Sequence, residues 1–160
     1  SVRMSHQTIT TLAKLPRCVA YKDSTGDILN PAHLKPYLKE TFCLVCGDDP
    51  MASAFLAQGT QGLISITSNI APAYVKSQIT AWRNQDIPTF LRVSQELFPL
   101  YQAMLCESNP IPVKYAAEKL GLCLNYVREP LQICSSQGMQ TIDQALKSLG
   151  LLNEKTKRYG

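Results

Sequence analysis

The sequence predicts an α/β fold built on a parallel sheet, and three observations carry that expectation. Apolar, strand-forming runs fall at residues 17–22, 42–47 and 62–68, a spacing of about 20–25 residues. Each run is followed by turn-forming residues and then by a helix pattern. The runs, typified by "FCLVCG" (42–47), are nearly continuous in apolar residues, as in strands buried on both faces. On pattern alone the rhythm fits a doubly wound sheet or a (β/α)8 barrel.

The elements follow in order. "SHQTITTLAKL" (5–15) carries Ile9, Leu12, Ala13 and Leu15 near helical spacing and stops at Pro16. "CVAY" is the first strand and "DSTGD" a turn-rich loop. Asn30 is expected to cap a helix that opens at Pro31 and runs through "PAHLKPYLKE", kinked at Pro36. After the second strand, Asp49 is expected to cap a helix with Pro50 at its first position and Gly59 at its end. "GLISIT" is the third strand, and "SNIAP" leads into the helix "AYVKSQITAWRNQ". From there the pattern is helical only. Asp86 caps "IPTFLRVSQELFPLYQAMLCE", "SNPIP" breaks it, and "VKYAAEKLG" and "TIDQALKSLG" close on Gly121 and Gly150. The expected organisation is residues 1–85 as βα units and 86–160 as a helical region packed on them.

Composition narrows the function classes. At 160 residues the chain fits one ordinary domain, with 45% hydrophobic and 18% charged residues. No apolar run approaches the ~18–20 residues of a membrane span, and the polar start does not read as a signal peptide. The net charge of +4 is spread out, and the one basic cluster, "KTKR" (155–158), reads as a solvated tail rather than a nucleic-acid patch. Six cysteines suggest no disulfide framework, because several sit inside apolar segments. Cys43 and Cys46 form "CLVC" within a strand, where residues three apart point to opposite faces; the pair reads as small hydrophobes, one inward and one outward. A zinc site would need a second pair at ligand spacing, and a redox pair would sit at a helix N-terminus. His6 and His33 are expected at the surface, and no glycine loop suited to phosphate is present.

Lys22 is the residue that asks for an explanation. Strand alternation puts Cys18, Ala20 and Lys22 on one face and Val19 and Tyr21 on the other. A lysine at the C-terminal end of a barrel strand stands where such folds place their chemistry, and one that loses hydration becomes a nucleophile towards carbonyl groups. A strand-end lysine also reaches solvent readily or pairs with a neighbour such as Asp23. "GDDP" (47–50) ends the second strand at the same rim; Gly47 would let a ligand approach the backbone, or simply make the turn.

Four stretches together, "YKDSTGD" (21–27), "CGDDPMASAFLAQGTQGLISITSNIAP" (46–72), "NPIPVKYAAEKLGL" (109–122) and "VREPL" (127–131), resemble the dihydrodipicolinate synthase family in colinear order. The resemblance implies the C-terminal portion of a (β/α)8 TIM barrel, three parallel strands with helices, plus a C-terminal helical extension. It implies condensation of pyruvate with aspartate semialdehyde in diaminopimelate and lysine biosynthesis, by a cytoplasmic homotetramer with no metal or organic cofactor and with no nucleic-acid or membrane partner. On this resemblance Lys22 is the Schiff-base lysine, Ile64 contacts pyruvate through its backbone, and the Gly47 carbonyl lies near the aldehyde substrate. The family's relay tyrosines and threonine, and the arginine that grips the semialdehyde carboxylate, have no counterpart in these residues. Arg3 falls four positions beyond that arginine and does not inherit its role. The implied barrel has eight strands, so the N-terminal half of the barrel is an expected partner of these three. Another pyruvate aldolase, of the N-acetylneuraminate lyase kind, and a non-catalytic half-barrel are the competing expectations.

Overall fold

A computed structural model describes residues 2–152; the basic "KTKR" cluster lies outside them. By compactness the chain divides between Ser65 and Ile66. That boundary differs in kind from a division after residue 85, which assigns the fourth major helix to the barrel by its place in the βα rhythm and which we retain as a proposal.

The first unit is a three-stranded parallel sheet in the order β1-β2-β3, with β1 at Ala20–Asp23, β2 at Cys43–Cys46 and β3 at Gly62–Leu63. The register pairs Ala20 with Cys43, Lys22 with Val45 and Val45 with Gly62. Both β1 and β3 are therefore edges. The first helix, α1 (His6–Leu12), starts at Ser5, whose hydroxyl accepts from the Thr8 amide. Ile9 and Ala13 of this segment join Leu34, Phe42 and Leu44 in a core against which Cys18, Tyr21 and Leu38 pack. Cys18 thus lies on the Tyr21 side, contrary to the expected alternation. The reason is that regular strand begins only at Ala20, so a period of two does not extend back to Cys18.

Three local expectations are corrected. The helix after β1, α2 (Asn30–Leu34), begins at Asn30 itself, and Asn30 does not cap it. Pro36 does more than kink it: α2 stops at Leu34, and a 3-10 turn, Lys35–Tyr37, replaces its continuation. Asp49 is not a side-chain cap either; it opens a 3-10 turn, Asp49–Met51, ahead of α3 (Ala52–Ala57). α3 buries Ala52, Phe55 and Leu56, packs on β2 and β3, and is followed by Gly59 at φ +78°, a conformation that favours glycine.

The second unit is helical. α4 (Pro72–Arg83) packs on α5 (Ile87–Ala103), α5 on α7 (Ser136–Ser148), and α6 (Ile111–Lys119) on α7. Asp86 caps α5 as expected, accepting from the Thr89 amide at 3.1 Å. Gln78 of α4 is buried and satisfied: it accepts from the Tyr101 hydroxyl at 2.7 Å and donates to Ser94 at 2.9 Å. Among the described residues no helix is long and apolar enough to cross a membrane.

Candidate active site

Strand direction places Lys22, Gly47 and Ile64 together at the C-terminal ends of three adjacent strands. Successive residues of a strand face opposite ways. Tyr21, Leu44 and Cys46 turn towards the helices, with Leu44 and Cys46 buried, while Ala20, Lys22 and Cys43 are exposed on the other face. Gly62 is paired in the Lys22–Val45 row, and Ile64, two residues further on, is exposed. Neighbouring parallel strands lie ~4.8 Å apart, so Lys22 and Gly62, its row partner two strands away, are about 10 Å apart, with Ile64 just beyond the end of β3.

Gly47 is shaped by Lys22. A Cβ at position 47 would stand 2.6 Å from Lys22 Cε and 2.8 Å from its Cγ, and would collide with Ser24 Oγ. The lysine stem therefore runs directly over the Gly47 backbone, and a Cβ there would force the Lys22 and Ser24 side chains to move. The Gly47 amide donates to the Asp23 carbonyl at 2.6 Å, extending the ladder past β2. Its carbonyl accepts from the Ser24 hydroxyl at 3.1 Å. The Ile64 amide donates to the Cys46 carbonyl at 2.8 Å, so its N–H is already engaged, and a ligand contact through its backbone falls to its carbonyl.

Asp23 does not pair with Lys22. It is buried on the opposite face, where its carboxylate accepts from the Thr25 amide at 2.9 Å, the Thr25 hydroxyl at 2.7 Å and the Asn30 amide at 2.8 Å. Asn30 spends its Nδ2 on Asp23, so its Oδ1 accepts from His6 Nε2 at 2.5 Å. His6 therefore donates through Nε2, and its ring stacks on His33 with centroids 5.3 Å apart. Both histidines are exposed, as expected, and they also belong to a chain of contacts leading to the residue after Lys22. Among the described residues no carboxylate forms an ion pair with Lys22.

Charge behind the sheet is negative. Asp48 lies beside Gly26, and burial, aided by Asp49 and Asp23, raises its carboxyl above the ordinary range. Burial, with the same three carboxylates adding to it, pushes the Cys46 thiol up to about 12, which makes it inert. Asp49 is itself buried and accepts from the Ser65 hydroxyl at 2.9 Å, tying the exits of β2 and β3 together beside Ile64. Arg3 pairs with Asp27 at 2.6 Å and holds that carboxyl below its ordinary value. Among the described residues no three metal-ligating side chains gather. The sequence pattern assigns no place in the site to Ser24, Asn30, His6 or Ser65. Only the Asp-Ser-Thr run after Lys22 carried a usable signal, that of an Asx turn.

Residues 1–149 match the dihydrodipicolinate synthetase family. The chain belongs to that family. Relatives in the family include the 4-hydroxy-tetrahydrodipicolinate synthase of Rickettsia typhi, 45% identical over 150 residues covering 94% of this chain and 51% of that protein. The synthase of Rickettsia prowazekii is 44% identical over the same shares. The chain spans about half the length of these relatives and matches their C-terminal half. Among solved structures, dihydrodipicolinate synthase from Aquifex aeolicus superimposes with a TM-score of 0.88 at 31% identity, over 94% of this chain and 52% of that one. The chloride-inhibited Acinetobacter baumannii enzyme complexed with pyruvate gives 0.85 at 32% identity, over 92% and 51%. Membership and these superpositions make the sheet part of a TIM barrel.

Proposed function

We propose that this chain carries the imine-forming half of a 4-hydroxy-tetrahydrodipicolinate synthase, a carbon–carbon bond-forming lyase that condenses pyruvate with aspartate semialdehyde. The observation that carries this reading is the course of Lys22 over Gly47, on the open face at the C-terminal ends of the strands, with its amine free of a carboxylate partner. Family membership and the pyruvate-bound relative support it.

In this mechanism the Lys22 amine attacks the keto carbon of pyruvate, and loss of water gives an imine. Loss of a methyl proton converts the imine to an enamine, whose carbon attacks the semialdehyde. The substrate's own amine then displaces Lys22 by transimination and closes the ring. The Ile64 carbonyl faces pyruvate, and the Gly47 carbonyl faces the aldehyde. The other barrel strands supply the groups that shuttle protons and hold the second carboxylate; with them the subunit works in a cytoplasmic tetramer. Three strands alone leave Lys22 in water and are incomplete for the full condensation.

Borohydride reduction in the presence of pyruvate tests the reading. The expected result is a stable adduct mapped by peptide mass spectrometry to Lys22 and absent in Lys22→Ala. A folded protein that gives no adduct, or one on another lysine, would sink it and favour a non-catalytic half-barrel.

A further inference from the structure

Ser24 is the polar side chain that the proposed mechanism leaves unused and that the structure puts in its path. Its hydroxyl and Lys22 Cε converge on one point, the place a Cβ on Gly47 would occupy. Ser24 is exposed, so the hydroxyl is open to an incoming ligand. Its donation to the Gly47 carbonyl spans 3.1 Å, longer than the 2.5–3.0 Å of a good O–H···O bond. A weak bond on a freely turning hydroxyl is readily exchanged for a stronger one.

We propose that Ser24 is a further catalytic residue of this site, donating its hydroxyl proton as a hydrogen bond to the oxygen of the keto acid as the keto carbon adds to Lys22. The proposal rests on the reading of Lys22 as the imine-forming residue. In the addition the nitrogen lone pair forms the C–N bond, and the carbonyl π pair moves onto oxygen. That oxygen is attached to the carbon bonded to Nζ, so it forms next to the Lys22 tip, beside Ser24. Its developing negative charge makes it a better acceptor than the neutral Gly47 carbonyl, so the hydroxyl swings from one to the other. The nitrogen then gives one proton to solvent and the oxygen takes one from it. A second solvent proton lets the oxygen leave as water while the nitrogen pair closes the C=N bond. Ser24 is neither consumed nor deprotonated.

Such a contact lowers the barrier without changing the end states. In the native protein carrying this sequence, pyruvate is added and samples are reduced with borohydride at successive times, the Lys22 adduct being quantified by mass spectrometry. Ser24→Ala should slow its appearance roughly tenfold, less than the loss of an oxyanion donor in a closed site, while the final level of adduct stays the same. Ser24→Thr, which keeps the hydroxyl, should restore the rate, and Ser24→Cys should be as slow as the alanine variant. A parental rate in Ser24→Ala would overturn the proposal. So would a final adduct level that falls in step with the rate, because that marks a misplaced Lys22 rather than a lost transition-state contact. If the unsubstituted protein gives no adduct on Lys22, the imine reading falls and Ser24 with it; if it does and Ser24→Ala is unaffected, only Ser24 falls.

Discussion

At the residue scale, Gly47 separates function from stability. The atoms that a Cβ there would meet belong to the flexible side chains of Lys22 and Ser24, not to backbone. Gly47→Ala should therefore keep its melting temperature within a few degrees of the parent while displacing the lysine, and the borohydride-trapped adduct should fall at least tenfold; a large loss of stability with normal trapping would contradict the packing described. Asp48 gives a pH signature. Its folded pKa is raised, chiefly by burial, so the fold favours the protonated form. That contribution is fully present below the ordinary value of 3.8 and is lost as pH rises through the higher folded value. Asp48→Asn, which cannot ionise, should melt above the parent at pH 7, and the difference should vanish below pH 3.8; a difference independent of pH would show that charge is not its cause. Lys22 and Gly47 were legible in the sequence because a lysine ending an apolar strand and a glycine at a strand exit are conspicuous. Ser24 and Asn30 were not, because a serine in a turn and an asparagine before proline have cheaper local explanations than the long-range contacts they make.

At the scale of elements, polar side chains decided where the sequence pattern overran. "GLISIT" has the β-branched content of a six-residue strand, yet regular pairing covers only Gly62–Leu63. Ser65 turns to Asp49, Ile66 adopts helical backbone angles, and a 3-10 turn starts at Thr67. α7 shows the reverse error. It was expected from "TIDQALKSLG" but begins at Ser136, because Gly138 hid its first turn. Glycine is needed there for space: a Cβ would stand 2.7 Å from Cys134 Sγ and against the Glu107 carboxylate. Ser135 caps this helix through the Gly138 amide at 3.1 Å and also donates to Glu107 at 2.6 Å. Ser135→Ala should cost about 1 kcal/mol in chemical denaturation, the usual value of such a cap. The His6–Asn30–Asp23 chain is the stronger case, since Asn30 and Asp23 are both buried. Asn30→Leu leaves the buried Asp23 carboxylate short of a donor, at a cost of about 1–3 kcal/mol, and frees the exposed His6 ring from its acceptor. Asn30→Asp, of the same size, sets a second carboxylate against Asp23 and should be no better. If either variant unfolded at the parental denaturant midpoint, the network would not be holding α1 and the loop after β1 in place.

At the scale of the molecule, the sheet has one covered face and one exposed face. The helix-facing side buries Leu44 and Cys46, whereas Ala20, Lys22, Cys43 and Ile64 on or beside the other side are exposed. In a (β/α)8 barrel the helices form the outer ring, so closure over that second face is the expectation to test, with the two edges, β1 and β3, as the places where further strands would pair. Cys43 and Cys46, the pair read from the sequence as one thiol in and one out, become reporters of this closure. Cys46 is buried, with its thiol pushed up to about 12, and should resist iodoacetamide at neutral pH whenever the fold is intact. Cys43 is exposed and should be alkylated readily in the 160-residue chain by itself. When the remaining strands of the barrel are supplied, as a longer chain or as a second polypeptide, Cys43 lies in the closed interior, and its alkylation should slow at least tenfold while Cys46 stays unreactive. The same closure removes water from Lys22, so the Cys43 protection and the rate of pyruvate trapping at Lys22 should rise together. Protection of Cys43 without faster trapping would separate barrel closure from activation of the lysine; fast alkylation of Cys43 in the completed assembly would mean that this face of the sheet is not the barrel interior.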